Sequence, residues 1–168
     1  MINLYIDFDG VIMDTINVTY KMLSDEGIDM NDEVAKSKFY SKLDWKKLLA
    51  TTPDINDGLN CVQKIIDSNK FNVAILTHVH SIGEAVEKIK FIRKYFKDIT
   101  IIPVPKEISK TKVVHSEGAI LVDDYSGNLK EWEDNGGVAV RFSKDLESHG
   151  FKVINKLDQL IDMFESEE

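Results

Sequence analysis

The sequence predicts an α/β fold, a parallel sheet with helices on both faces and a small helical cap. Three observations carry this. Short apolar runs at residues 3–8, 71–77 and 118–123 end in polar or acidic residues, as buried parallel strands do. Amphipathic helical stretches alternate with these runs, which implies βαβ crossovers. The stretch 16–56 holds no strand and is long for one crossover, so it can form a helical cap beside the site.

In chain order, residues 3–8 form the first strand. Asp14 or Thr15 can cap a helix reaching about residue 26, with Ile16, Tyr20 and Leu23 in helical spacing and Gly27 as its stop. Asn31 or Asp32 can start one cap helix, and Ser41 or Asp44 another; Thr51-Thr52-Pro53-Asp54 ends the region. Leu59, Val62 and Ile66 mark a helix over about 56–69. The second strand is 71–77. Ser81 caps a helix whose expected inward positions are Ile82, Val86, Ile89 and Phe96, with Lys and Arg on the opposite face. The third strand, 99–104, carries Pro103, so it is expected to stop there or to lie near an edge. Ser109 caps a short helix over 110–116. The fourth strand is 118–123, followed by a helix over 128–135 that Gly136-Gly137 stops. Residues 138–142 and 151–154 are two further strands, and Leu157, Leu160, Ile161 and Phe164 mark a final helix.

At 168 residues, one domain spanning 1–168 is expected, with 16–56 as its insertion. A chain of this size buries roughly 70% of its unfolded surface and needs no disulfide. The lone Cys61 lies in a helical pattern and reads as core. The net charge of −8, from 21 basic and 29 acidic residues, argues against duplex nucleic acid as a partner but not against a small phosphorylated substrate. No apolar stretch is long enough for a membrane span, and no signal peptide is expected; a cytoplasmic location fits.

The chemistry centres on Asp7-Phe8-Asp9-Gly10-Val11-Ile12-Met13-Asp14-Thr15. Two carboxylates where an apolar strand runs out repel unless a cation or proton separates them. In an open α/β sheet, ligands bind at the carboxyl ends of the strands. A hard ion such as Mg²⁺ with oxygen ligands suits them. Gly10 lets the chain turn so that both acids can face one small volume. The motif resembles the first motif of the haloacid dehalogenase (HAD) superfamily, Asp-x-Asp-Gly followed by a small apolar residue. Three further segments in order, Thr77, a lysine near 112, and Asp123-Asp124, are similar to the remaining motifs of that superfamily.

Roles follow for each residue. Asp7, fixed by the strand, is the expected nucleophile, with an aspartyl-phosphate intermediate. Asp9 is the expected general acid, then base. Asp7 and Asp124, with the Asp9 carbonyl, are the expected metal ligands, and Asp123 and Asn128 stand behind them to orient Asp124 and the lysine. Thr77 is the expected phosphate-binding hydroxyl, joined by Gly10 and His78. For the phosphate-contacting lysine, Lys112 has the nearer spacing, while Lys110 sits in the more family-like Lys-Thr.

The resemblance implies a Rossmann-like sheet, Mg²⁺ as cofactor and phosphate-ester chemistry. Ile120-Leu121-Val122-Asp123-Asp124-Tyr125, with Asn128, Trp132 and Gly136-Gly137, looks most like the 5′(3′)-deoxyribonucleotidase branch, which implies a nucleoside monophosphate as substrate. His78-Val79 departs from the small residue and Pro often found there. The alternatives from other classes are a receiver-type signalling domain, which also joins acids, a Thr and a Lys on a parallel sheet, and a catalytically silent phosphate-binding protein.

Overall fold

In the computed structural model, which describes residues 1–165, the elements in chain order are β1 (Ile2–Ile6), α1 (Thr15–Asp25), α2 (Glu33–Lys42), α3 (Trp45–Thr51), α4 (Gly58–Asp67), β2 (Phe71–Val79), α5 (Ile82–Tyr95), β3 (Thr100–Pro105), a 3₁₀ turn (Lys110–Lys112), β4 (Ile120–Asp123), α6 (Ser126–Asp134), β5 (Val138–Phe142), β6 (Lys152–Ile154) and α7 (Gln159–Met163). The six strands pair in parallel in the order β3-β2-β1-β4-β5-β6. This is the doubly wound, Rossmann-type order. A receiver-type sheet has its second strand at one edge; here β3 takes that edge and β2 lies inside.

The two faces of the sheet separate by strand period. Leu4, Ile6, Ile75, Ile120, Val122 and Val140 face the larger core, which includes Leu23 of α1, Trp45 and Leu48 of α3, Val62 of α4, Ile92 of α5 and Leu160 of α7. Leu76, Val104, Leu121 and Ala139 face the other way, onto Leu129 and Trp132 of α6. Tyr5 joins this second face through an edge-on contact with Trp132, whose indole N–H donates to the Ala119 carbonyl at 2.9 Å. The stretch 16–56 contains helices α1–α3 and no strand, and Cys61 is buried in the core.

Local chemistry explains most boundaries. Asp32 accepts from the Ala35 N–H and Asp44 from the Lys47 N–H, both at 3.1 Å, which starts α2 and α3. Ser81 accepts from the Glu84 N–H at 3.0 Å and starts α5. Asp14, at the start of α1, makes no side-chain cap, and the Thr15 hydroxyl is directed elsewhere. Pro103 sits opposite Thr77 on the edge strand, where its missing N–H costs least.

Two expectations are corrected. The 110–116 helix is only the 3₁₀ turn. The first half of helix α5 is rotated from its apolar reading: Ile82 is 84% exposed and Val86 42%, whereas Glu84, Lys88 and Ile92 are buried; Phe96, at the helix end, is buried as expected. The first half of α5 stands beside the carboxyl edge of β2, so its inward face meets polar groups there. Among the described residues no helix is long and apolar enough to cross a membrane.

Candidate active site

β1 ends at Ile6, and the Asp7 N–H continues the ladder by donating to the Val122 carbonyl at 2.9 Å. The Phe8 carbonyl then accepts from Ile12 and Met13 at 3.0 and 3.1 Å, closing a tight turn. Gly10 takes φ +74° in that turn, and a Cβ there would collide with the Asp124 carboxylate. A side chain is therefore excluded by both conformation and space.

The turn breaks strand parity and sends the two motif acids to different partners. Asp7 continues the face of Tyr5 and meets Lys110, which comes from the layer of α6. Lys110 is almost wholly buried, and its Nζ donates to Asp7 Oδ1 at 3.0 Å and Asp123 Oδ2 at 2.9 Å. Asp123 also accepts from the Tyr125 N–H at 3.0 Å and from Asn128 Nδ2 at 3.0 Å. Lys112 is exposed. The lysine at the carboxylates is thus Lys110, and the Lys112 expectation is corrected: the 3₁₀ turn aims only the first of the two inward.

Asp9 opens this turn, just before Gly10, and faces the α5 side. Its Oδ1 accepts from the Thr15 hydroxyl and its Oδ2 from Lys88 Nζ, both at 2.6 Å. Thr77 is fully buried; its hydroxyl accepts from Lys88 at 3.2 Å and makes a long bond to Asp9 at 3.5 Å. His78 points to the opposite face, where its Nε2–H donates to the Ile108 carbonyl at 2.8 Å. It anchors the loop that delivers Lys110, and its ring nitrogen is bonded to that loop and to none of the site carboxylates. The Asp9 carboxylate, bound by Thr15 and Lys88, is not among the acids whose oxygens cluster.

Sequence reasoning missed Lys88. It carries salt bridges to Asp9 and Glu84, each 2.6 Å, within the core. The available signal was the stripe Glu84, Lys88, Ile92, at spacings of four, directly after the Thr77 segment.

One oxygen each from Asp7, Asp123 and Asp124 lie within 4.8 Å of one another. Burial, then the Asp123 charge, pushes the Asp7 carboxyl up to about 7. Burial, then the Asp7 and Asp123 charges, pushes Asp124 up to about 9. Asp123 goes the other way: burial alone would raise it, but the Lys110 charge and hydrogen bond outweigh burial and hold it low. Burial also opposes the charge of Lys88 and Lys110, and the carboxylates beside each outweigh it, so both ammonium groups are held above their usual range. Since Asp123 is taken by Lys110, Asn128 and Tyr125, Asp7 and Asp124 are the acids left to a cation. An all-oxygen set with two frustrated carboxylates fits a hard divalent ion.

Linkage gives a testable consequence. Asp7 and Asp124 titrate in the fold above the ordinary carboxylate value of 3.8. The metal-free fold therefore binds more protons than the unfolded chain from about pH 4 up to about pH 9, and stability falls as pH rises through that window. Burial lowers His78, which acts oppositely only below its usual 6.5. Metal-free Tm is expected to fall between about pH 7 and pH 9, and Mg²⁺ to raise Tm most at the alkaline end, where it replaces protons. Thermal melts at both pH values check this; a metal-free Tm that rises with pH contradicts it.

No family model and no curated protein matches the sequence. Solved structures do. The chain is similar to a HAD phosphatase from Thermococcus onnurineus, with 15% identity, 97% of each chain covered and a TM-score of 0.63. A HAD-superfamily hydrolase of subfamily IA from Geobacter sulfurreducens matches at 14% identity over 98% of this chain and 100% of its own, TM-score 0.61. A HAD hydrolase from Bacillus subtilis, bound to magnesium, matches at 14% identity over 96% and 97%, TM-score 0.62. At these identities the likeness is one of architecture: the chain has the HAD-like α/β fold, and its structural neighbours are HAD-superfamily hydrolases.

Proposed function

We propose that the protein is a Mg²⁺-dependent phosphatase that hydrolyses a small phosphomonoester through an aspartyl-phosphate on Asp7, with a nucleoside monophosphate as the preferred substrate. The observation that carries this reading is the convergence of Asp7, Asp123 and Asp124 with the buried Lys110 at the carboxyl edge of the sheet.

Asp7 and Asp124, with the Asp9 carbonyl, would hold the ion, which when bound neutralises charge on the carboxylates and the phosphate. In the first step an Asp7 carboxylate oxygen attacks phosphorus, the bond to the leaving oxygen breaks, and Asp9 gives that oxygen a proton. In the second, water attacks phosphorus, Asp9 takes its proton, and the bond between Asp7 and phosphorus breaks. Lys110 holds one oxygen of Asp7, which leaves the other free to attack. The Thr77 hydroxyl and the backbone around Gly10 would receive the phosphate.

A cavity of about 340 Å³ opens beside Asp9. It reaches between the sheet edge and α1–α3, with Tyr40, Trp45, His80, Lys36 and Lys106 in its walls. A larger groove of about 710 Å³ among α1–α3 holds none of the site carboxylates. The smaller cavity suits the leaving group, with aromatic walls for a base and lysines at hand, and α1–α3 serve as the cap over it. The 5′(3′)-deoxyribonucleotidase resemblance points to the same substrate class.

The test is phosphate release from p-nitrophenyl phosphate and from a panel of nucleoside monophosphates and sugar phosphates, with Mg²⁺ and with EDTA. Turnover that EDTA stops, fastest on a nucleoside monophosphate, is expected. No turnover with Mg²⁺ on any ester overturns the phosphatase reading, and a faster sugar phosphate overturns the substrate class.

A further inference from the structure

Lys88 is the largest charged side chain buried in the protein that the proposed chemistry does not use. It is wholly inaccessible. Its Nζ donates to Asp9 Oδ2 at 2.6 Å, Thr77 Oγ1 at 3.2 Å and the His78 carbonyl at 3.1 Å, and pairs with Glu84 at 2.6 Å. The Trp45 ring covers it at 4.8 Å. Four acceptors for three protons leave no donor for a substrate. Glu84 is fixed in turn: its Oε1 accepts from the His80 N–H at 2.9 Å and meets His80 Nδ1 at 3.0 Å. The His80 ring stacks on Tyr40 of α2, centroids 4.5 Å apart.

A buried ion pair is weak as a device for stability, because a hydrophobic pair of similar volume does as well. Its geometry suits orientation. Asp9 stands only two residues from Asp7, whose carboxylate already clusters with those of Asp123 and Asp124. Lys88 and Thr15 claim its two oxygens from the opposite side. We propose that Lys88 is a positioning residue that holds the Asp9 carboxylate apart from the Asp7–Asp123–Asp124 cluster, so that Asp9 faces the leaving group and does not become a further ligand of the cation. The inference rests on the phosphatase reading for Asp9's use, but its metal-binding consequence can be measured without turnover.

The test pairs Glu84→Gln with Lys88→Met, which removes one charge of each sign, leaves no unpaired carboxylate at Glu84, and frees Asp9 from its ammonium partner. Circular dichroism and thermal melting establish that the double variant folds. Calorimetric titration with Mg²⁺ should then show binding about tenfold tighter than wild type, as Asp9 swings into the cluster. Adding Asp9→Asn to the pair should cancel the gain, whereas Asp9→Asn alone should leave Mg²⁺ affinity within about threefold of wild type. On an aryl phosphate, the double variant should lose about 10²-fold in kcat with little change in KM. Mg²⁺ affinity and kcat both within about threefold of wild type in the folded double variant would overturn the proposal, as would a wild type that binds no Mg²⁺. An inactive wild type whose Mg²⁺ titrations follow the expected cycle would sink the phosphatase reading and keep the role of Lys88.

Discussion

Asp7→Asn is expected to lower kcat by about 10⁴-fold or more, the scale of losing a covalent nucleophile. An amide oxygen does not attack phosphorus, and it cannot offer the ion a full charge. The fold should survive the change. Lys110 keeps Asp123 as partner at 2.9 Å, so no buried cation is orphaned. The substitution also removes a carboxyl that burial and Asp123 push up to about 7, so metal-free stability at neutral pH should stay level or rise. Lower activity with equal or higher Tm separates a chemical role from a structural one. Steady-state rates on p-nitrophenyl phosphate and a thermal melt read both.

Lys110→Met is expected to have the largest effect on stability. Lys110 bridges Asp7 and Asp123 inside the protein, and its loss leaves both carboxylates facing each other beside Asp124. Breaking a buried pair of this kind costs about 3–5 kcal/mol. For a domain of this size each kcal/mol is worth about 2–4 °C in Tm, so a fall of at least about 6 °C follows. Activity should fall with it, because Asp7 loses its hold. Lys112→Met, on the exposed side of the same turn, should change stability by less than about 0.5 kcal/mol and leave turnover intact. Reversed effects at the two positions would show that the geometry assigns the wrong lysine.

What could be read from the sequence, and what could not, divides along a physical line. Local rules found the strand Val138–Phe142 and narrowed two caps to pairs of residues that include Asp32 and Asp44, because they depend on neighbours in sequence. The acids Asp7, Asp123 and Asp124 were legible because an acid ending an apolar run has few bland explanations, and a parallel sheet brings strand ends to one edge. Side-chain direction past the strand was not legible. Asp9 opens the turn after the strand has ended, so strand period no longer governs it, and it faces α5 while Asp7 faces the other layer. The choice between Lys110 and Lys112 depends on the phase of one 3₁₀ turn. Lys88 was hidden by an apolar pattern, Ile82 and Val86, that points to solvent. Hydrophobic periodicity finds the face toward an apolar core; it misleads where a helix overhangs a polar site.

The central claim is that Asp7 carries the phosphoryl group between the two steps. Rapid acid quench during turnover, followed by peptide mass spectrometry, tests it directly. The account predicts the added mass of one phosphoryl group on the amino-terminal peptide at Asp7, present with Mg²⁺ and lost with EDTA. Steady phosphate release with that peptide never modified, or with the group on another residue, would contradict it.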